Sequence, residues 1–104
     1  MRKADIVAAI SEKTGLAKVD VLVSLEEFFN QVRETMGKNE NVYIRGFGSF
    51  VIKKRAAKTG RNIKRNKTVQ IPEHFIPAFK PAKIFTEHVK SSVTHLPNEE
   101  KGEE

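Results

Sequence analysis

The sequence predicts an α+β fold. Two N-terminal helices precede a set of antiparallel strands, and part of that strand region is drawn out as a long two-stranded arm. Three observations carry this expectation. Apolar residues recur at helical spacing as far as Met36 and alternate thereafter, a change of period from 3.6 to 2. Gly46-Phe47-Gly48 interrupts the alternation with a tight turn. The stretch 53–67, KKRAAKTGRNIKRNK, carries Lys53, Lys54, Arg55, Lys58, Arg61, Lys64, Arg65 and Lys67 and no acid, between strand-like GSFVI and TVQI. Acids are absent from Asn41 through Pro72.

Taken in order, Ile6, Val7 and Ile10 share one face of a helix from about Lys3 to Thr14, with Asp5 at the positive end of its dipole and Gly15 as its stop. A longer helix runs to Met36 and is closed by Gly37. Its stripe of Leu22, Leu25, Phe29, Val32 and Met36, widened by Val21 and Phe28, is too broad for one short helix to cover, which predicts a second subunit. In NVYIRGFGSFVIKK, Val42 and Ile44 share one face and Tyr43 and Arg45 the other; the segment reads as a hairpin. The basic ribbon then turns near Arg65-Asn66 and returns through Val69 and Ile71. Phe75 and Ile76, bracketed by Pro72 and Pro77, rejoin the sheet near an edge, because proline cannot donate to a ladder. Ala78-Phe79 re-enters the core. A short final helix follows through Val89, with Pro81 near its start. Beyond Lys90 the pattern dissolves, and 91–104 reads as a disordered acidic tail.

Composition narrows the function classes. At 104 residues the chain is one small domain, and an extended arm leaves it little core, which again favours dimerisation. It has no cysteine, so neither disulfides nor thiolate metal sites are open to it. His74, His88 and His95 lack ligand spacing, so no metal is expected, and no cofactor. No apolar run approaches a membrane span, and the N-terminus lacks a secretory or transit character. The net charge is +6; four glutamates against Lys101 leave 91–104 at −3 and the body at +9. No nucleophile, base and orienting group cluster, and no phosphate loop of the required spacing occurs, so an enzyme is not expected. An acid-free ribbon of like charges repels itself, and a polyanion is what completes it; nucleic acid is the best candidate.

The order of elements, together with RGFGSF, RAAKTGRN, QIP, PAFKPAK and a terminal HVK, resembles the bacterial histone-like HU/IHF family over residues 1–90 without a gap. The resemblance implies an intertwined dimer with a helical base, an antiparallel sheet saddle and long β-ribbon arms (here about 53–73). Such arms wrap double-stranded DNA through its minor groove, largely without sequence preference, and bend it. It also implies residence in the bacterial cytoplasm, at the nucleoid. Four positions depart from the family pattern. Ile63 stands where a proline usually follows GRN, Arg65-Asn66 replaces a usual Thr-Gly, and Ala82 replaces a common glycine. The tail past Lys90 exceeds the usual family length.

On these grounds the expected DNA-binding residues are Lys3, Lys53, Arg55, Lys58, Arg61, Asn62, Ile63, Lys64, Arg65, Lys67, Lys80 and Lys83. Arg55, Lys58 and Arg61 align with the family's arm cations and are expected on phosphates and in the groove. Asn62 either hydrogen-bonds base edges or shapes the turn. Ile63 keeps an apolar wedge at the arm tip, since isoleucine is among the side chains that enter between base pairs. Lys80 and Lys83 are expected on the saddle, and Lys3 along the flank. Phe29, Phe47, Phe50 and Phe79 are assigned to the core and dimer interface rather than to base stacking. The tail acids either compete with DNA for the arms or only solubilise the end. Three readings compete: a sequence-independent architectural binder, a site-specific bender of the IHF kind, and a basic RNA-binding protein. A-form helices fit a wrapping arm poorly. Pairing with itself or with a related chain stays open.

Overall fold

A computed structural model describes residues 1–62 and 67–98. The elements are α1 (Lys3–Thr14), α2 (Lys18–Gly37), β1 (Val42–Ile44), β2 (Gly48–Arg55), β3 (Lys58–Asn62), β4 (Lys67–Ile71), β5 (His74–Pro81) and α3 (Lys83–Ser92). The fold is α+β, as the periodicity predicts. At the start of α1 the Arg2 amide donates to Asp5 Oδ2 at 2.9 Å; at its end the Gly15 amide returns to Ser11 O at 2.9 Å. α1 and α2 pack together, and Val7 and Val21, 7% and 5% exposed, are the only buried apolar side chains among the described residues. α2 ends at Gly37 as expected, but the left-handed residue that turns the chain is Asn39 (φ 67°), two positions later. Asparagine tolerates that conformation.

β1, β2 and β5 form an antiparallel sheet in that order, and β3 and β4 form a separate pair. β2 is the central strand. Its register with β5 sets Phe50 opposite Phe79 and Ile52 opposite Pro77, and its register with β1 sets Phe50 opposite Val42. β5 continues unbroken through Pro77 because it is an edge strand, where a missing N–H can face outward. Two glycines make the hairpin. Gly46 adopts φ +80°, and a Cβ on Gly48 would lie 2.6 Å from Phe79 Cζ and 2.7 Å from Lys80 O. Phe47, released inward between them, stacks on Phe85 at 5.0 Å and sits 5.3 Å from Phe79, which is 5.1 Å from Phe50.

Two sequence expectations change. The ribbon expected to run unbroken over 53–73 divides: Arg55 pairs with His74 in the three-stranded sheet, and pairing resumes only at Lys58 opposite Ile71. Pro72 has no N–H to give the ladder at that point. The last helix reaches Ser92, with the Val93 amide on Val89 O at 3.0 Å, so helical structure extends two residues past the expected domain end at 90. The radius of gyration, 18.4 Å, exceeds the roughly 13 Å of a compact chain this long, as an outlying ribbon requires.

Gly48→Ala should destabilise the protein by about 1–3 kcal/mol, since the added methyl meets ring and backbone together. Urea unfolding measures this; an unchanged midpoint would remove the close approach as the reason for the second glycine.

Candidate nucleic-acid interface

Strand alternation sorts the side chains of the three-stranded sheet. Val42, Ile44, Phe50, Ile52, Phe79 and Pro77 share the face that meets α2. The opposite face receives Lys53 and Arg55 from β2, Lys80 from β5 and Tyr43 from β1, in the same register. Arg45, just past β1, lines the same shallow groove as Tyr43, Ser49, Val51 and Lys80. Lys53, Arg55, Lys80, Tyr43 and Arg45 are all exposed. The face is therefore a cationic floor with an apolar strip at Val51, Ala78 and Ile76.

The ribbon carries the cations outward from that floor. Lys58 pairs with Ile71, Gly60 with Val69, Arg61 with Thr68 and Asn62 with Lys67. Lys58 and Lys67 thus share one face and Arg61 takes the other, which gives the ribbon positive charge on both sides. Val69, exposed and opposite Gly60, is an apolar patch partway along, where the charge pattern alone suggests none short of Ile63. The expectations for Ile63, Lys64 and Arg65, and for the turn at Arg65-Asn66, lie outside the described residues, as does any role of the tail acids from Glu99 on.

Two cations have a carboxylate beside them. Lys54 Nζ is 3.2 Å from Glu73 Oε1 at the ribbon's base, a half-exposed and therefore weak pair with which a phosphate would compete. Lys3 lies on the helical base rather than the sheet, and its Nζ is 3.0 Å from Glu26 Oε1. A phosphate reaching Lys3 has to compete with that carboxylate; both partners are half exposed, so the pair is weak. Lys83 opens α3, where a cation works against the helix dipole and adds nothing to helix stability. Tyr43 and Arg45 were not among the expected site residues. Their signal was present in the alternation, which sets them opposite Val42 and Ile44, but a ranking by charge density passes over them.

A sheet whose open face is lined with cations, extended by a ribbon charged on both faces, is the grip of a protein that binds a polyanionic duplex. The described residues contain no group of three or more His, Cys, Asp or Glu placed to hold a metal. None of their helices is long and apolar enough to cross a membrane. The family model described as bacterial DNA-binding protein matches residues 1–90. DNA-binding protein HU of Geobacillus stearothermophilus is 36% identical over 90 residues, covering 86% of this chain and all of that protein. Integration host factor subunit beta of Marinobacter nauticus is 38% identical over 94 residues, 89% of this chain and 96% of its own length. Among solved structures, Anabaena HU in a cocrystal with DNA superposes with a TM-score of 0.81 at 35% identity, over 86% of this chain and 97% of that one. The chain belongs to the bacterial DNA-binding protein family, that of HU and IHF, and is an architectural DNA-binding protein rather than an enzyme.

Arg45→Ala should lower duplex affinity and flatten the log–log salt dependence by about 0.9, the loss of one neutralised phosphate. Lys13→Ala, in the last turn of α1, should leave both unchanged. Equal slopes for the two variants in a salt-series titration would remove Arg45 from the interface.

Proposed function

We propose that two copies of this chain form a dimer that seats double-stranded DNA across its sheets, closes the two ribbons along the minor groove and bends the duplex, largely without regard to sequence. The observation that carries this reading is the sorting of Lys53, Arg55 and Lys80 onto one sheet face, continuous with the cations of β3 and β4. The dimer is supported by what one chain leaves open. Phe47 and Phe79 stay 45% and 40% exposed despite their mutual contact. An apolar groove also runs between α2 and the sheet, lined by Val32, Met36, Phe50, Ile52, Phe75 and Pro77. Two such half-cores facing each other would bury both; Phe29, Phe47, Phe50 and Phe79 are the residues assigned to that seam. The family pattern spans 1–90, α3 completes the domain at Ser92, and the site of action is the nucleoid in the bacterial cytoplasm.

The mechanism has two stages. Long-range attraction captures the duplex on the cationic floor and releases counterions from its phosphates. The ribbons then lie in the minor groove, where arginine responds to groove width and potential rather than base identity. Ile63 acts as the wedge, and the unstacking it causes, a few kcal/mol, is offset by the additional wrapped contact. A site-specific variant of the same mechanism is the alternative, since the chain is as similar to an integration host factor subunit, at 38% identity, as to HU proteins at 36–39%. A competition titration separates the two, because a site-specific protein keeps one sequence bound against excess bulk duplex.

Affinity for linear, nicked and scrambled duplexes of equal length should fall steeply with salt in every case, with little difference between sequences; a flat salt response overturns the mechanism. Sedimentation equilibrium should give a dimer at micromolar concentration, and a monomer there overturns the seam. Ile63→Ala should reduce bending, read by fluorescence transfer across the duplex, more than affinity; an unchanged bend assigns the isoleucine another role.

A further inference from the structure

Resting on the reading that the open sheet face receives a duplex, we propose that Tyr43 is a phosphate-contacting residue of that face, its phenol donating a hydrogen bond to the DNA backbone beside Lys80 and Arg45. The placement of the ring is the first observation. The chain has seven phenylalanines and a single tyrosine. Phe50 and Phe79 point to the helix side of the sheet, whereas Tyr43 stands on the cationic side, 72% exposed. Tyr43 pairs with Ser49 and Ser49 with Lys80, so phenol, hydroxyl and ammonium form one row across all three strands. At about 4.8 Å per strand, Tyr43 and Lys80 stand roughly 10 Å apart, near enough to meet neighbouring phosphates of one strand.

The second observation is how the phenol is held. Asn41 Oδ1 accepts the Ile52 amide at 3.0 Å, adding one side-chain rung to the ladder just before β1 begins. Since a backbone N–H can only donate, this contact fixes which way the Asn41 amide faces. Its Nδ2 is therefore the atom 3.3 Å from Tyr43 Oη, and it donates to that oxygen. A phenol oxygen that accepts from Asn41 keeps its own O–H free, and a phosphate oxygen is an acceptor only. The lysine and arginine supply charge to the floor; Tyr43 supplies a neutral, directed donor whose stiff ring loses little conformational freedom on binding. Most protein–DNA hydrogen bonds go to phosphate and sugar, with tyrosine among the donors, so phosphate is the partner that a lone phenol between two cations fits best.

With no tryptophan in the chain, Tyr43 is also the sole intrinsic fluorophore. The test is a duplex titration of wild type and Tyr43→Phe at several salt concentrations, with acrylamide quenching of wild-type tyrosine emission, free and saturated. The Phe variant keeps the ring and the fold and should bind about two- to tenfold more weakly. Its salt slope should be unchanged, because a neutral phenol displaces no counterion. Tyrosine emission in the complex should be shielded from acrylamide. Wild-type binding with an unchanged Kd in the variant, or undiminished quenching in the saturated complex, overturns the assignment of Tyr43 alone. A wild-type protein that ignores duplex at low salt overturns the underlying reading as well.

Discussion

Successive side chains of a strand leave on opposite faces, and β2, paired on both sides, has no freedom to evade this rule. Once Phe50 and Ile52 turn toward α2, Val51, Lys53 and Arg55 have to turn away from it. The apolar side and the charged side of the sheet are therefore one decision. A slip of one residue in the β2–β5 register would send the phenylalanines into water and bring the cations against the helices. The close fit of Gly48 against Phe79 helps pin that register, because a side chain at that rung would meet the ring. What the protein presents to DNA is in this sense the reverse side of how it folds.

Charge is distributed with some discrimination. Within the basic stretch, Lys54 falls on the helix side of the sheet and is matched by Glu73, the first acid after the acid-free run. Lys53 and Arg55, its sequence neighbours, fall on the open side. At the base, Lys3 is matched by Glu26. Two cations off the open face, Lys3 and Lys54, are thus partly neutralised by surface carboxylates, while Lys53, Arg55 and Lys80 share the open face with Tyr43.

Much of this was legible in the sequence, and the parts that were not share physical causes. The two long helices follow from apolar spacing, and the hairpin from Gly46 and Gly48, because each depends on local chemistry alone. The division of the ribbon was missed because a run of cations reads the same whether or not it is paired; only Pro72, by lacking an N–H, marks the gap. The turn at Asn39 was hidden behind the stronger stop signal of Gly37. Tyr43 and Arg45 were passed over because density of charge was weighed before the face it occupies. The small number of buried side chains accords with the sequence, whose α2 stripe is broader than one short helix can cover and whose arm leaves little core.

The interruption at Ala56–Ala57 and Pro72–Glu73 belongs to neither ladder. Two short segments outside either ladder join the outer finger to the palm, and the second is tied to β2 by the Lys54–Glu73 pair. Tilting that finger would break no rung of either ladder. The charge of the palm is held in register by the β2–β5 ladder, and the direction of the finger is decided at the four residues between the two ladders.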